Sequence, residues 1–244
     1  MIETIEFATG KKAIVLLGEQ DTPAAAILTA LALPRPRALL ILNGGTATLE
    51  EPLLGQLQRT LQDGLARVVA AEQITVITGG TDAGVFQLFG QGLAQYGRTA
   101  PCIGVAVETL VTWPGKAQGE ATLEANHSHF VLVSGKSWGD ETTTLYALAA
   151  ALGKACPSVA VFASGGEITI HEMQANVVQG RPMVLLAGSG RATDAVLAAR
   201  AGQSADDPRV NQIAQKGRIL AFALSAEPSA LDNLLRRLLA IDRA

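Results

Sequence analysis

Short apolar segments alternate along this chain with helix-forming segments, and several of the apolar segments lead directly into glycine-rich turns. Residues 38–42 are a continuous apolar run of the kind found in strands that are buried on both faces of a sheet. Strands that alternate with helices form parallel sheets, because each helix returns the chain to the edge where the previous strand began. The pattern therefore predicts an α/β fold with a doubly wound, mainly parallel sheet and helices on both of its faces.

The same pattern gives the order of the elements. Strands are predicted at residues 12–17, 38–42, 74–78, 102–107, 130–133, 159–163, 183–187 and 219–223. Residues 1–36 form a predicted N-terminal βα addition, and residues 37–244 form the core of a single domain. The helix after the first core strand begins at either a Thr48/Glu51 capping box or Pro52. Residues 108–125 are predicted to be a long loop.

Four glycine-rich turns lie where a predicted strand ends and a helix begins. They contain Gly44, Gly45 and Thr46 in the first, Gly79, Gly80, Thr81 and Gly84 in the second, Gly165, Gly166 and Glu167 in the third, and Gly188, Ser189 and Gly190 in the fourth. Glycine lets the backbone approach a ligand closely, and a helix start offers unpaired N–H groups, so each turn suits phosphate. A single such turn could serve only to reverse the chain. Four of them along one edge of a parallel sheet predict a site for a phosphate-bearing ligand.

The common nucleotide-binding motifs do not occur in this chain. It has no Walker A sequence GxxxxGK[ST], and no GxGxxG follows the first strand. Ordinary ATPases and dehydrogenases are therefore not favoured, and a different nucleotide-binding fold is indicated.

Composition bears on the class of partner. The formal net charge is -3 and the basic residues are scattered, so nucleic acid is not an expected partner. No apolar run approaches the roughly 18 residues of a membrane span, and the first residues lack a signal-peptide pattern, so a cytoplasmic location without membrane contact is expected. Charged residues make up 17% of the chain, which is low enough to favour a covered subunit face and a homo-oligomer. Cys102 and Cys156 have no CxxC spacing and are expected to be reduced thiols.

Three segments carry a resemblance to a known family. They read NHSHFVLV at residues 126–133, GGTDAGV at residues 79–85 and GSGRATD at residues 188–194. In their order along the chain, 79–85, 126–133 and 188–194, they resemble the SLOG domain of TRPM-type cation channels and of its stand-alone prokaryotic relatives. The resemblance covers most of residues 38–200. It implies a Rossmann-like fold and the binding or sensing of a nucleotide-derived ligand such as ADP-ribose.

A second resemblance implies an enzyme. Residues 164–172 read SGGEITIHE and are similar to the PGGxGTxxE motif of LOG-type phosphoribohydrolases, which cleave the base-ribose bond of nucleoside monophosphates. The resemblance implies that Glu172 is a catalytic carboxylate. Ile168 replaces a glycine of the motif, however, and the arginine-bearing partner motif is not evident, which counts against hydrolysis. Residues 43–51 match about as well, but they follow the first core strand and are assigned to a phosphate turn.

From the residues alone, Glu172 has two interpretations. Burial could raise its pKa and make it a general acid or base. It could instead be a first-turn carboxylate that stabilises a helix start. Arg191 also has two: it could bind phosphate oxygens in bidentate fashion, or it could pair with Asp194 at i+3.

His127 and His129 are two residues apart, so on an extended strand they would lie on the same side, with Ser128 between them. His171 could be a third ligand of a metal ion, but no acid or cysteine cluster accompanies these histidines, and no metal site is predicted. Contact with the ribose or base of a ligand, or internal bracing, is favoured for them.

These observations predict a protein that binds a nucleotide or an ADP-ribose-like ligand across the glycine-rich edge, without a cofactor. The alternative is an N-glycoside hydrolase of nucleotides that uses Glu172, so whether the chain is an enzyme is left open. A third alternative is a structural subunit with an empty cleft.

Overall fold

The computed structural model describes residues 1–45, 53–97 and 100–241. Within these residues the main sheet has nine strands in the order β1-β2-β8-β5-β4-β3-β9-β10-β11. These strands are β1 (Ile2–Glu6), β2 (Lys12–Gly18), β3 (Leu39–Gly44), β4 (Thr75–Thr78), β5 (Cys102–Val107), β8 (His129–Val133), β9 (Ser158–Ala163), β10 (Met183–Ala187) and β11 (Ile219–Ala223). Two further strands, β6 (Val111–Thr112) and β7 (Ala121–Thr122), form a small parallel pair.

The sheet is doubly wound. Every pair of neighbouring strands in it is parallel except β1 and β2, which are antiparallel at one edge. The chain runs outward from β3 through β4, β5 and β8, and then crosses back to place β9, β10 and β11 on the other side of β3. The strand order therefore reverses between β3 and β9, and open α/β sheets bind ligands at the carboxyl ends of strands at such a point. The predicted fold class is confirmed.

Helices cover both faces of the sheet. They are α1 (Ala24–Leu31), α2 (Leu53–Arg59), α3 (Arg67–Glu72), α4 (Gly84–Tyr96), α5 (Thr142–Gly153), α6 (Glu167–Val178), α7 (Arg191–Arg200), α8 (Pro208–Lys216) and α9 (Pro228–Leu238). A π-helical segment, Thr60–Ala66, joins α2 to α3, and Glu108–Leu110 form a 3₁₀ turn.

Three apolar clusters hold these layers together. The first packs α2 to α4 and α9 on one face, and the second packs α1 and α5 to α8 on the other. The third lies under β1, β2, β5 and β8. Strand β5 is buried along its whole length, as its uninterrupted apolar sequence requires when helices or loops cover both faces. Among the described residues no helix is both long and apolar enough to cross a bilayer.

The predicted strands and most of the helices are present, and three strands were missed. β1 is an edge strand whose sequence, Ile-Glu-Thr-Ile-Glu, has few apolar residues. The segment predicted as a long loop contains β6 and β7. Both were too short for a periodicity to show. The predicted cap at Thr48, Glu51 or Pro52 falls within residues 46–52, outside the described residues.

Candidate functional site

A cleft of about 600 Å³ opens at the carboxyl ends of the central strands. It lies where the strand order reverses, with α4 on one side and α5 and α6 on the other. Its walls are formed by Gly44, Gly45, Gly79, Thr81, Ala83, Phe86, Glu120, Ala121, Trp138, Glu141, Leu145, Gly166, Glu167, Ile168, Thr169, Glu172 and Arg191. Residues from three of the four predicted turns are therefore brought together, and Arg191 joins them from the helix that follows the fourth.

The turns after β3 and β9 form the floor of this cleft. A Cβ atom on Gly44 would lie 2.3 Å from the carbonyl oxygen of Ala163, so no other residue fits there without moving the backbone. The amide of Gly45 donates to that carbonyl at 3.1 Å. This close approach requires glycine after β3. Thr46, predicted to belong to the same turn, lies outside the described residues.

The turn after β9 leads into the start of α6. Gly165 has φ +87°, and a Cβ there would lie 2.2 Å from the hydroxyl of Thr169. Gly166 is the N-cap residue of α6 and supplies no side-chain hydrogen bond. The first amides of a helix have no carbonyl partner within it. Because residues 166–169 line the cleft, the positive end of α6 faces it.

Arg191 is the cation of this cleft. It is exposed, adopts φ +54° at the first position of α7, and makes no ion pair within residues 1–45, 53–97 and 100–241. A Cβ on Gly166 would lie 3.2 Å from Nη2 of Arg191, so the guanidinium group lies beside the start of α6. The alternative pairing with Asp194 is not formed.

The polar groups of the turn after β10 are hydrogen-bonded to other protein groups. The Asp194 carboxylate accepts hydrogen bonds from the amides of Gly188 and Gly190 at 2.9 and 2.8 Å. The hydroxyl of Ser189 is buried, accepts from the amide of Ser164 at 2.7 Å and donates to the carbonyl of Leu186 at 2.6 Å. The structure does not bring these three predicted residues to the cleft, because their groups hold the β9 and β10 turns together.

The turn after β4 is divided in the same way. Gly79 and Thr81 line the cleft, whereas the amide of Gly80 donates to the hydroxyl of Thr78 at 2.8 Å. A Cβ on Gly80 would lie 2.7 Å from Cα of Gly104, so this glycine permits β4 and β5 to approach. Gly84, also predicted, is the first residue of α4 and is not part of the cleft wall.

His127 braces the turn after β4 from below. Its ring is fully buried, with Nδ1 2.9 Å from Oε2 of Glu124 and Nε2 2.7 Å from the hydroxyl of Thr78. Burial by itself lowers the pKa of His127, but contacts with Cys102 and Glu124 raise it overall to about 10. The ring also stacks on Phe130. Of the two favoured roles, internal bracing is the one that the structure shows.

Ser128 and His129 also lie away from the cleft. The Ser128 hydroxyl bonds the backbone of Cys102 in both directions, at 2.9 and 3.0 Å, and Nδ1 of His129 is 2.8 Å from that hydroxyl. Strand β8 begins at His129, so this segment sits at the amino end of the parallel strands, whereas the cleft is at their carboxyl ends. In the described part of the chain no three His, Cys, Asp or Glu side chains form a group that could hold a metal ion.

Comparison with known proteins agrees with this architecture. The sequence profile of the family described as "SLOG in TRPM, prokaryote" matches residues 37–232. The chain belongs to this family. It is also 28% identical over 220 residues to mouse transient receptor potential cation channel subfamily M member 2, a match that covers 72% of this chain. The rat protein of the same name is 27% identical over 220 residues, which cover 74% of this chain. The chain spans about 14% of the length of these channels.

The SLOG chain places two buried carboxyl groups in the cleft. Glu172 is 8% exposed, and its carboxyl group makes no hydrogen bond within the described residues. Burial, followed by the charge of Glu141, raises the pKa of Glu172 to about 8. Burial also raises the pKa of Glu141, whose Oε2 accepts from the amide of Gly139 at 2.8 Å. A carboxyl group in this state can donate a proton near neutral pH.

The first-turn alternative for Glu172 is wrong. The residue lies well inside α6, and Glu167 occupies the first helical position. Glu167 pairs with Arg209, whose hydrogen bonds hold the pKa of the Glu167 carboxyl below its usual range. The carboxylate at the positive end of the α6 dipole is therefore that of Glu167, and Glu172 faces the cleft instead.

Several residues at or behind the cleft of the SLOG chain were not predicted as site residues, and three of them carry polar or aromatic groups of interest. Glu141 and Trp138 line it, and Asn43 lies directly before Gly44. Asn43 is fully buried; its Oδ1 accepts from the hydroxyl of Tyr146 at 3.0 Å, and its Nδ2 has no partner among the described residues. A polar residue at the end of an apolar strand, just before a glycine pair, was the available signal for Asn43.

Proposed function

We propose that this SLOG chain binds a nucleotide-derived ligand of the ADP-ribose class in the cleft between α4 and α6. One observation carries the proposal: the guanidinium of Arg191, which has no ion pair among the described residues, lies beside the uncapped start of α6, on a cleft floored by glycine turns. Helix starts and arginine together are a common anion site. The volume of the cleft, about 600 Å³, is in the range of small-molecule sites.

In this arrangement the phosphates of the ligand bind the amides at the start of α6 and the guanidinium of Arg191. Gly44, Gly45 and Gly79 allow the ligand to approach the backbone. A ribose placed over the floor would lie near Glu172, whose carboxyl group makes no hydrogen bond within residues 1–45, 53–97 and 100–241. The family membership and the similarity to the channels support a ligand-binding role of this kind.

The acidic residues that line the cleft do not exclude an anion from Arg191. Glu167 pairs with Arg209, which also pairs with Asp207, and the raised pKa of Glu172, about 8, keeps it mostly protonated at neutral pH. Glu141 is also shifted toward its neutral form. Glu120 accepts a hydrogen bond from Nε1 of Trp138. The side chain that most influences an incoming phosphate is therefore Arg191.

Calorimetric titration with ADP-ribose, NAD, AMP and a cyclic nucleotide tests the proposal. We expect binding of at least one of them, weakened about 10- to 100-fold in Arg191→Gln, because charge-assisted hydrogen bonds are lost. Arg237→Gln is the matched control, since Arg237 is exposed on α9, outside the cleft wall. Absence of heat with every ligand, or equal weakening by both substitutions, would reject the proposal.

A second candidate function is hydrolysis of the N-glycosidic bond of a nucleotide. It is favoured by one observation, the raised pKa of a cleft carboxyl at Glu172. With AMP, water adds to the anomeric carbon, the bond to the base breaks, Glu172 gives its proton to the leaving base, and a proton of the water returns to Glu172. With NAD, nicotinamide leaves as a neutral molecule without a proton, and ionised Glu172 takes the proton of the water instead. Release of free base from AMP or NAD that is lost in Glu172→Gln and kept in Glu6→Gln, at an exposed residue outside the cleft wall, would support it. No release by the unaltered chain would reject it.

A further inference from the structure

The wall of the cleft contains an aromatic side chain, Trp138, that phosphate binding does not use. Trp138, in the loop between β8 and α5, is partly exposed and lines the cleft. Its side chain packs against the third apolar cluster. It is only partly buried, so part of it can contact a molecule in the cleft. Arg191 and Gly166 supply the cationic part of the cleft wall, and Trp138 supplies an aromatic part.

The indole ring of Trp138 is held in a defined orientation. Its Nε1 donates to Oε2 of Glu120 at 3.0 Å, from the segment that follows β6. The loop itself is fixed by Asp140, which accepts from the amides of Lys136 and Ser137 at 2.9 and 3.1 Å. A flat ring held in this way offers a face to a ligand at little cost in conformational entropy.

The first turn of α6 meets the Trp138 loop. A Cβ on Gly139 would lie 3.4 Å from Cγ1 of Ile168, so the two segments are in contact distance of each other. Ile168 is the residue that replaces a glycine of the LOG-type motif. Trp138, Ile168 and Leu145 thus give this part of the cleft an apolar surface. A planar, apolar group fits such a surface better than a phosphate or a free sugar does.

The other tryptophan of the chain provides a contrast. Trp113 is 9% exposed, belongs to the third apolar cluster, and donates from Nε1 to Glu3 at 3.2 Å. It does not line the cleft. Trp113 is explained by packing alone, whereas Trp138 is not.

We infer that Trp138 stacks on the aromatic base of the ligand and that Glu120 is a positioning residue which sets the plane of the indole. The inference rests on the proposed function and adds to it the part of the ligand that Trp138 recognises. Every base has a π face, so stacking selects purine and pyrimidine nucleotides over base-free sugar phosphates without choosing among the bases.

Fluorescence of the single remaining tryptophan in Trp113→Phe tests the inference. ADP-ribose should quench the emission of Trp138 on binding, and ribose 5-phosphate should not. Trp138→Ala should weaken ADP-ribose binding about tenfold, and Trp138→Phe, which keeps a ring, should weaken it much less. Glu120→Ala should weaken the binding of ADP-ribose, and Glu120→Gln, which keeps an acceptor for Nε1, should restore it.

The possible outcomes separate this inference from the function on which it rests. If ADP-ribose binds without quenching, if ribose 5-phosphate quenches equally, or if Trp138→Ala and Trp138→Phe bind ADP-ribose as the unaltered chain does, stacking is overturned while the proposed function stands. If the unaltered chain binds no nucleotide, both fail. The thermal midpoint of each variant shows whether a loss of affinity is a loss of folding; if Trp138→Ala does not fold, Trp138→Phe and the quenching decide.

Discussion

At the scale of single residues, the cleft combines groups that the fold leaves without partners. Arg191 has no ion pair and Glu172 no side-chain hydrogen bond within the described residues, and both line the cleft. Elsewhere in the described part of the chain, the buried Glu124 pairs with His127, and the buried Arg181 donates hydrogen bonds to Ser158 and Asn176. A cation without an ion pair and a buried carboxyl group without a hydrogen bond in the same cleft are better explained by a ligand than by stability.

Glu172 predicts a dependence of stability on pH. Its pKa is raised from 4.5 to about 8 in the folded chain, so the stability that protonated Glu172 contributes is fully present below pH 4.5 and is lost as the pH rises toward 8. Each unit of difference is worth about 1.4 kcal/mol. In Glu172→Gln the fall in unfolding free energy over this window should be smaller, by on the order of 2–4 kcal/mol.

Urea denaturation of both proteins at several pH values between 4.5 and 8 measures this difference. Glu167→Gln is the control, because Glu167 is exposed and paired with Arg209. Parallel curves for the unaltered chain and Glu172→Gln would show that Glu172 is not protonated in the fold.

Two residues of the cleft wall were identified in the sequence: Arg191 because it follows a glycine turn at a helix start, and Glu172 through the resemblance to the LOG-type motif. It misplaced the histidines. His127 was expected on an extended strand, but β8 begins only at His129. The i,i+3 spacing of Glu124 and His127 was visible in the sequence, but only the fold shows that the pair is buried beneath the β4 turn.

At the scale of elements, the strand order brings the glycine turns into one place. β3 is central, with β4 on one side and β9 on the other, so the turns that follow these three strands meet. Sequence reasoning predicted that the turns share an edge of the sheet. It could not predict that Asp194 occupies the amides of the β10 turn, because that depends on how α7 is oriented.

Gly44→Ala should disrupt the contact between the turns that follow β3 and β9. The new methyl group would lie 2.3 Å from the carbonyl oxygen of Ala163, and backbone atoms cannot yield as a flexible side chain does. We expect a loss of about 2–3 kcal/mol in unfolding free energy, the usual cost of overpacking. Gly153→Ala is the control. Its Cβ would come no closer than 3.3 Å to a side-chain hydroxyl, and its effect should stay within about 0.5 kcal/mol.

Equilibrium unfolding of Gly44→Ala and Gly153→Ala measures both free energies of unfolding. The comparison distinguishes the steric clash at Gly44 from the general effect of replacing a glycine with alanine. Equal stabilities would mean that the turns after β3 and β9 are not in close contact.

At the scale of the whole molecule, the N-terminal residues belong to the main sheet. The family profile begins at residue 37, yet β2 pairs in parallel with β8 along five residue pairs. Ile5, Phe7 and Val15 are buried in the third cluster. The βα addition was predicted from its apolar strand and alanine-rich helix, but its partner strand could not be, because pairing of distant strands leaves no local pattern.

A chain that begins at residue 37 should therefore be much less stable than the whole chain. The shortened chain lacks β1, β2 and α1. The edge of β8 and the apolar side chains that β2 covers would therefore be exposed. We expect aggregation or loss of a cooperative thermal transition. Ile2→Ser, at a side chain that is 49% exposed, should unfold nearly as the unaltered chain does. A shortened chain with an unchanged midpoint would show that the N-terminal strands are dispensable.

The low content of charged residues has an explanation within one chain. The three apolar clusters bury both faces of a nine-stranded sheet, and the large apolar side chains that are exposed in the described part are Met1, Ile2 and Val178. A covered subunit face is not needed to account for the composition. The homo-oligomer stays a prediction, which sedimentation of the purified chain tests.

An anionic ligand should bind where the turns after β3, β4 and β9 meet, and a crystal structure of the chain with ADP-ribose would locate it. We expect diphosphate oxygen atoms within hydrogen-bonding distance of the amides at the start of α6 and of the Arg191 guanidinium. A diphosphate bound elsewhere, for example at the Gly188 turn or beside His129, with the cleft empty, would contradict this expectation.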